Sequence, residues 1–148
     1  MQNIYQQIKK EIVNYLESLK DDYSEQCFEF GITELLYKDG IYEVDVNGYY
    51  KAEYELEKQT EFILLKLYIC YEYRQIQISN ICLPTFMKFK GIGKKLIYII
   101  FTIAEKEQYG LFIVDMVDSF YQKMKKRGAL PCDGCEDAVQ IVNETKLV

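Results

Sequence analysis

Apolar side chains recur at every second position from residue 63 to residue 73, and this alternation constrains the fold more than any other feature. They are Ile63, Leu65, Leu67, Ile69, Tyr71 and Tyr73. Because successive side chains of a strand point to opposite faces, the spacing predicts a strand over 61–73 with one apolar face. A turn near Arg74 leads into a second strand over 75–83, so the segment predicts an antiparallel meander.

The residues before this meander predict one helix followed by further strands. Apolar residues at helical spacing predict an amphipathic helix over 3–20: Ile4, Ile8, Ile12, Leu16 and Leu19. Turn signals follow at 38–40 and at Asn47-Gly48. The Asn-Gly pair predicts a type I′ hairpin that joins a strand over 42–46 to one over 50–56, in which Tyr54 and Leu56 continue the alternation.

Length and composition favour one domain. A chain of 148 residues, 49% of them hydrophobic, has enough apolar side chains for one sizeable core. We therefore expect a single α+β domain over 1–148 with a mixed, mainly antiparallel sheet of about six to seven strands. Helices over 3–20 and 93–108 would cover the sheet, and a turn over 131–134 would precede a last strand over 138–142.

Charge and hydropathy disfavour several classes of function. The 18 Lys and Arg residues against 23 Asp and Glu give a net charge of −5, which disfavours direct binding to nucleic-acid phosphates. The longest apolar stretch, 96–104, is shorter than the roughly 18 residues that a membrane span needs. The first residues show no basic segment followed by an apolar one, so we expect a cytoplasmic protein whose five cysteines are reduced.

Histidine is absent from the whole chain. This absence excludes Ser-His-Asp and Cys-His nucleophiles, a histidine general base and histidine metal sites. Cys132 and Cys135 have the spacing of a metal-binding pair, but no second pair completes four ligands, so no metal is expected. Any chemistry must therefore use carboxylates, Tyr, Lys, Cys or the backbone.

The apolar positions of the strand over 75–83 change face along its length. Ile76 and Ile78 occupy even positions, whereas the apolar residues at 81 and 83 occupy odd ones. Because a strand changes face only through an extra residue, the switch predicts a β-bulge at Ser79-Asn80 that bends the strand.

A glycine loop follows this strand and opens the second helix. Residues 88–95 read Lys-Phe-Lys-Gly-Ile-Gly-Lys-Lys and lead into apolar residues at helical spacing. Glycine lets a backbone approach a ligand closely, and the N–H groups and dipole of a helix start attract anions, so a diphosphate fits here. Gly91 and Gly93 equally suit a tight turn with solvated lysines, and they match neither the Walker loop nor the Rossmann fingerprint.

The stretch resembles the pantetheine and pyrophosphate motif of the GNAT superfamily of acyl-CoA N-acyltransferases. The resemblance covers 75–142 and rests on Ile81-Cys82-Leu83-Pro84, on the loop Lys88-x-x-Gly91-x-Gly93, on a strand over 111–117 and on Ser119-Phe120-Tyr121 at a helix start. The family has Gln or Arg where this chain has Lys88, and commonly glycine where it has Phe89. Residues 1–74, with one helix before a strand meander, depart from the family.

The resemblance implies an N-acetyltransferase that uses acetyl-CoA as co-substrate. The backbone of Ile81, Cys82 and Leu83 would hold the pantetheine arm. The residues expected at the pyrophosphate are Lys88, Phe89, Lys90, Gly91, Ile92, Gly93 and Lys94. A primary amine, of a small molecule or of a protein lysine, would attack the thioester directly. The basic run over 123–127 suits a solvated helix face, and its cations also have the length to reach a CoA phosphate.

Proton transfer is assigned to three side chains. Tyr121 follows a strand in the first turn of a helix, where the family often has a Phe-Tyr pair, so the resemblance implies that it is the acid that protonates the leaving thiolate. The resemblance also implies that acyl-CoA lies in a cleft where two neighbouring strands splay apart. Glu72 and Asp115 are the candidate bases, because they stand on strands expected to border this cleft. Simpler roles stay open, since Tyr121 can pack under its helix and Asp115 can pair with Lys123 or Lys125.

A rival hypothesis is a non-catalytic interaction protein with the same scaffold. The acidic, Tyr-rich surface would then bind a basic protein partner, with or without CoA. A third hypothesis is a domain that binds another diphosphate nucleotide at the same loop. The acceptor pocket is open, or it is closed by the helix over 3–20 or by a second copy of the chain in a homodimer.

Overall fold

A seven-stranded sheet organises the chain. The computed structural model describes residues 3–52 and 57–148. Its elements run in the order α1 (Ile4–Asp22), β1 (Glu29–Leu36), β2 (Ile41–Lys51), β3 (Gln59–Cys70), β4 (Gln75–Ile81), α2 (Ile92–Lys106), β5 (Gly110–Ile113), α3 (Asp118–Lys126), β6 (Leu130–Pro131) and β7 (Val139–Ile141). The strands lie in the order β1-β2-β3-β4-β5-β7-β6, and β4 and β5 are parallel while the other described pairs are antiparallel. The predicted α+β fold with a mixed, mainly antiparallel sheet is confirmed.

One face of the sheet forms the core with α1 and α2. The pairing register places buried side chains of five strands side by side on this face: Val44, Val46, Leu65, Leu67, Ile69, Ile76, Ile78, Leu111, Ile113, Val139 and Ile141. The predicted apolar stripe of α1 is buried, and each such side chain stabilises the fold by about 1.5–3 kcal/mol relative to exposure. Lys106 Nζ donates to Gln7 Oε1 at 3.2 Å and links the two helices. In the described part of the chain, no helix is both long and apolar enough to cross a membrane.

The predicted hairpin at Asn47-Gly48 is wrong. β2 runs through both residues, and the turn at 38–40 is the one that joins β1 to β2. A Cβ at Gly48 would lie 2.3 Å from Cζ of Phe62, so the glycine leaves room for this ring on the neighbouring strand. The predicted positions of the second arm that lie outside the described residues are Tyr54 and Leu56.

The predicted bulge in β4 is confirmed. Lys66 pairs with Asn80 and Leu67 pairs with Ile78, so Ser79 is the extra residue. Asn80 Nδ2 donates to the backbone carbonyl of β3 residue 63 at 2.9 Å, which holds the bent segment against β3. The bulge therefore turns the end of β4 in a new direction.

β3 contains a second bulge that the sequence did not predict. Val46 pairs with Leu65 and Asn47 pairs with Ile63, which leaves Leu64 as the extra residue. Leu64 is therefore fully buried and Ile63 is 39% exposed, although the alternation places Ile63 on the apolar face. The unbroken apolar run hides this change of face.

Two strands end earlier than predicted. β3 ends at Cys70, so Tyr71 and Tyr73 lie in the turn before β4 and not on the strand. β5 ends at Ile113, four residues before the predicted end at Val117. The segment after Ile113 leaves the sheet, and this departure shapes the site described next.

Candidate functional site

β4 and β5 pair along their first residues and then separate. The last pair joins Ile78 to Ile113, and the N–H of Val114 donates to the carbonyl of Ile78 at 2.9 Å. Ser79, the bulged residue, follows immediately on β4. The bulge thus lies where the two strands stop pairing.

Beyond this point the segment after β4 and the segment after β5 bond to different neighbours. The N–H of Cys82 donates to the carbonyl of Leu64 at 3.1 Å, which keeps the segment after β4 beside β3. The N–H of Met116 donates to the carbonyl of Asp137 at 2.9 Å, which draws the segment after β5 toward β7. A gap therefore opens between the two segments.

A cavity of about 530 Å³ adjoins this gap, which is within the usual size range of ligand pockets. It lies between the end of β4, the loop over 88–94, the start of α2 and one face of α3. The predicted cofactor-binding residues that line it are Ile81, Leu83, Lys88, Phe89, Gly91, Ile92, Gly93 and Lys94. Of the other two, Cys82 is exposed and uses its N–H on β3, and Lys90 is exposed beside the cavity without lining it.

The loop beside this cavity has backbone donors that no described residue uses. α2 begins at Ile92, and its N-cap Gly91 has φ +80°, a conformation that favours glycine. The first N–H of the helix that bonds within the chain is that of Lys95, which donates to the Gly91 carbonyl at 3.0 Å. None of the described residues accepts a hydrogen bond from the N–H groups of 89–94. These donors and the helix dipole suit an anionic group.

Cationic side chains reinforce this preference for an anion. Lys88, Lys94, Lys123 and Arg127 line the cavity, and none of the described residues that line it is acidic. In a chain with a net charge of −5 this is a local reversal of sign, which attracts a negatively charged ligand. Two of the basic residues predicted on a solvated face of α3 therefore turn toward the cavity.

Two apolar residues of the same helix face also belong to the site, although the sequence did not predict them there. Phe120 and Met124 line the cavity together with Lys123 and Arg127. The four positions follow the spacing i, i+3, i+4 and i+7, which marks one face of a helix. That spacing is the signal by which this face of α3 could have been identified.

A second cavity, of about 130 Å³, lies in the gap itself. Ile81, Val117 and Phe120 line both cavities, so the two adjoin, and we refer to them together as the cleft. The bulge residue Ser79 and Asp115 line the smaller part. The cleft therefore has a larger cationic part at the loop and a smaller part, which includes Asp115, between the strands.

Asp115 lies just after β5, where the chain stops bonding to the neighbouring strand β4. Its φ of 54° lies in the left-handed region, between Val114, which bonds to β4, and Met116, which bonds toward β7. The prediction that it stands on a strand is wrong, because β5 ends two residues earlier and Asp115 is exposed. Among the described residues it forms no ion pair with Lys123 or with Lys125.

Tyr121 and Glu72 lie away from the cleft. Tyr121 is in the first turn of α3, is 8% exposed, and lines neither cavity. Lys125 Nζ lies 5.2 Å from the centre of its ring. Glu72 is in the turn between β3 and β4, at the opposite end of β4 from the gap, so the prediction that it stands on a strand bordering the cleft is wrong.

The cysteine pair forms a turn before the last strand. The N–H of Cys135 donates to the carbonyl of Cys132 at 3.2 Å, between β6 and β7. Burial, followed by the nearby Cys135 and Asp133, raises the pKa of the Cys132 thiol, which disfavours the thiolate that a metal requires. Over residues 3–52 and 57–148, no group of three or more His, Cys, Asp or Glu could hold a metal ion.

Comparisons with known proteins find a distant structural likeness. No family model matches the chain. No curated protein matches it either. Among solved structures, a crystal structure described as "putative acetyltransferase from Agrobacterium tumefaciens" is 13% identical, with a TM-score of 0.39 over 89% of this chain and 87% of that one. A likeness at this level says nothing about the substrate or mechanism of this chain.

Proposed function

We propose that this chain is an acyl-CoA-dependent N-acyltransferase that moves an acetyl group from acetyl-CoA to a primary amine. The observation that carries the proposal is the gap between two parallel strands, which adjoins a cationic cavity at a helix start. A ligand with a diphosphate at one end and a thioester at the other matches this cleft in shape and charge.

The two ends of the ligand have separate binding groups. The N–H groups of 89–94, with Lys88 and Lys94, would receive the diphosphate. Ile81 and Leu83 would flank the pantetheine arm and lead the thioester into the gap. Arg127, at the outer end of the α3 face, is placed to meet a further phosphate of the same ligand.

The reaction needs no protein nucleophile. The acceptor amine attacks the thioester carbonyl, so that a carbon–nitrogen bond forms, the carbon–sulfur bond breaks and the CoA thiolate leaves. The carboxylate of Asp115 would take the proton of the amine, because this residue lines the gap where the thioester would lie. The exposed mouth at Asp115 suits an amine on a flexible chain, and we therefore propose a protein lysine as the acceptor.

Acetyl-CoA is expected to stabilise the fold. At a hundred times its dissociation constant it adds about 2.7 kcal/mol, which corresponds to a rise in Tm of about 5–10 °C. Scanning fluorimetry with acetyl-CoA, and with ADP as the control, measures this shift. An equal shift with both ligands favours a general diphosphate site, and no shift with millimolar acetyl-CoA contradicts the proposal.

Release of free thiol separates the enzyme from a non-catalytic binding protein. A thiol assay with acetyl-CoA and a panel of amines, including a lysine peptide, should show thiol release above the rate without amine, because hydrolysis alone also releases thiol. Stabilisation by acetyl-CoA without thiol release for any amine would favour the binding protein.

Tyr121 as the acid stays a prediction. Because its ring does not line the cleft, its hydroxyl would reach the thiolate only through water, so the expected loss of kcat in Tyr121→Phe is about 100-fold, the lower end for proton transfer. The ring is kept, so Tm and the KM for acetyl-CoA should not change. An unchanged kcat would assign Tyr121 to packing alone.

A further inference from the structure

Phe89 combines two features that the free protein does not favour. Its side chain is 96% exposed, the largest exposed fraction among the described aromatic residues. Its φ of 62° lies in the left-handed region, where a bulky side chain is strained and glycine is not. The ring gains no burial that would offset this strain, so its benefit must arise when something covers it.

The surroundings of Phe89 indicate what covers it. The residue lines the larger cavity and stands between Lys88 and Lys90. It also directly precedes the unused N–H groups at the start of α2. An aromatic face, two ammonium groups and a set of free N–H donors lie within one short loop. This combination suits a ligand that carries an aromatic ring close to a diphosphate, which is the chemistry of a nucleotide.

We propose that Phe89 stacks on the adenine base of bound CoA, an inference that rests on the proposed function. The diphosphate at 89–94 fixes the nucleotide end of the ligand beside this residue. The exposed ring would then cover one face of the base, while Lys88, which also lines the cavity, would face the phosphates. A base stacked on an aromatic side chain binds tightly enough to offset a strained backbone.

Binding calorimetry with two ligands tests this role. CoA carries the adenine, whereas 4′-phosphopantetheine keeps the pantetheine arm and one phosphate but lacks the 3′-phosphoadenosine and the second phosphate of the diphosphate. We expect Phe89→Gly to weaken CoA binding about tenfold, the lower part of the range for base stacking, and to leave 4′-phosphopantetheine binding unchanged. Phe89→Trp should restore CoA binding. Phe89→Asn, which tolerates the left-handed region without a ring, should behave like Phe89→Gly.

Two further readouts separate stacking from damage to the loop. The Tm of the free Phe89→Gly protein should equal or exceed that of the wild type, because the strain is relieved. In proton NMR, the adenine H2 and H8 signals of bound CoA should shift upfield in the wild type and not in Phe89→Gly. Tyr73→Gly, which removes another exposed aromatic ring in the turn at the far end of β4, should leave CoA binding unchanged.

The results distinguish this proposal from the proposed function. Equal CoA affinity in the wild type and in Phe89→Gly overturns the stacking and leaves the acyltransferase intact. Equal weakening of both ligands also overturns it, because the loop backbone and not the ring would then be responsible. A wild-type protein that binds no CoA overturns both.

Discussion

Asp115→Asn is expected to lower kcat for acetyl transfer by about 10²- to 10⁴-fold, the range for loss of a general base. Asp115 lines the smaller part of the cleft, where the thioester and the amine would meet in the proposed reaction. Its φ of 54° makes the choice of variant important, because asparagine tolerates this region best and keeps the backbone in place. The KM for acetyl-CoA should stay near its original value, since the loop over 88–94 is untouched.

A matched control separates a specific role of Asp115 from a general effect of lost negative charge. Asp118→Asn is a matched control, because Asp118 is an exposed neighbour at the start of α3 that lines neither cavity. A kcat for Asp115→Asn equal to that of the wild type would move the base to water or to another group.

The parts of the fold that the sequence predicted best are those with one apolar face. The stripe of α1 and the change of face in β4 are both visible in the sequence, because polar residues separate the apolar ones. The bulge at Leu64 is not visible, since residues 62–65 are all apolar and any register suits them. Periodicity predicts a face only where the opposite face is polar.

The wrong hairpin shows how a distant contact overrides a local signal. Asn47-Gly48 is a strong turn sequence, and nothing nearby in the sequence opposes it. The glycine instead leaves room for the ring of Phe62, fourteen positions later, which lies against it on the paired strand. A single sequence does not reveal which of two strands needs room for a neighbouring ring.

The candidate site also has one part that the sequence predicts and another part that it does not. Residues of the loop over 88–94 are contiguous, so a motif identifies them together, and most of them line one cavity. Asp115 and the α3 face reach the cleft only because β5 ends at Ile113 and the chain turns away there. At the start of α3, Phe120 faces the cleft and Tyr121 faces the core. Both are aromatic, so the sequence does not indicate which way the helix is rotated.

Gly93→Val is expected to weaken CoA binding by at least about 100-fold while the free protein stays folded. Gly93 lies in the first turn of α2 without a positive φ, and a Cβ there would meet only Cγ2 of Ile81, at 3.7 Å. Valine also has a higher helix propensity than glycine, so the fold should not lose stability.

The same side chain would obstruct the phosphate that must approach the backbone of the loop. Loss of two hydrogen bonds to a charged group costs about 3–6 kcal/mol, which is a change of at least about 100-fold in Kd. Gly91→Val is a poorer test, because its φ of +80° would strain the free protein as well. Gly31→Val is the matched control, since a Cβ on this β1 residue meets nothing within 4 Å. If Gly93→Val and Gly31→Val bind CoA equally well in calorimetry, the glycine serves the turn alone, and the N–H groups of the loop do not hold a diphosphate.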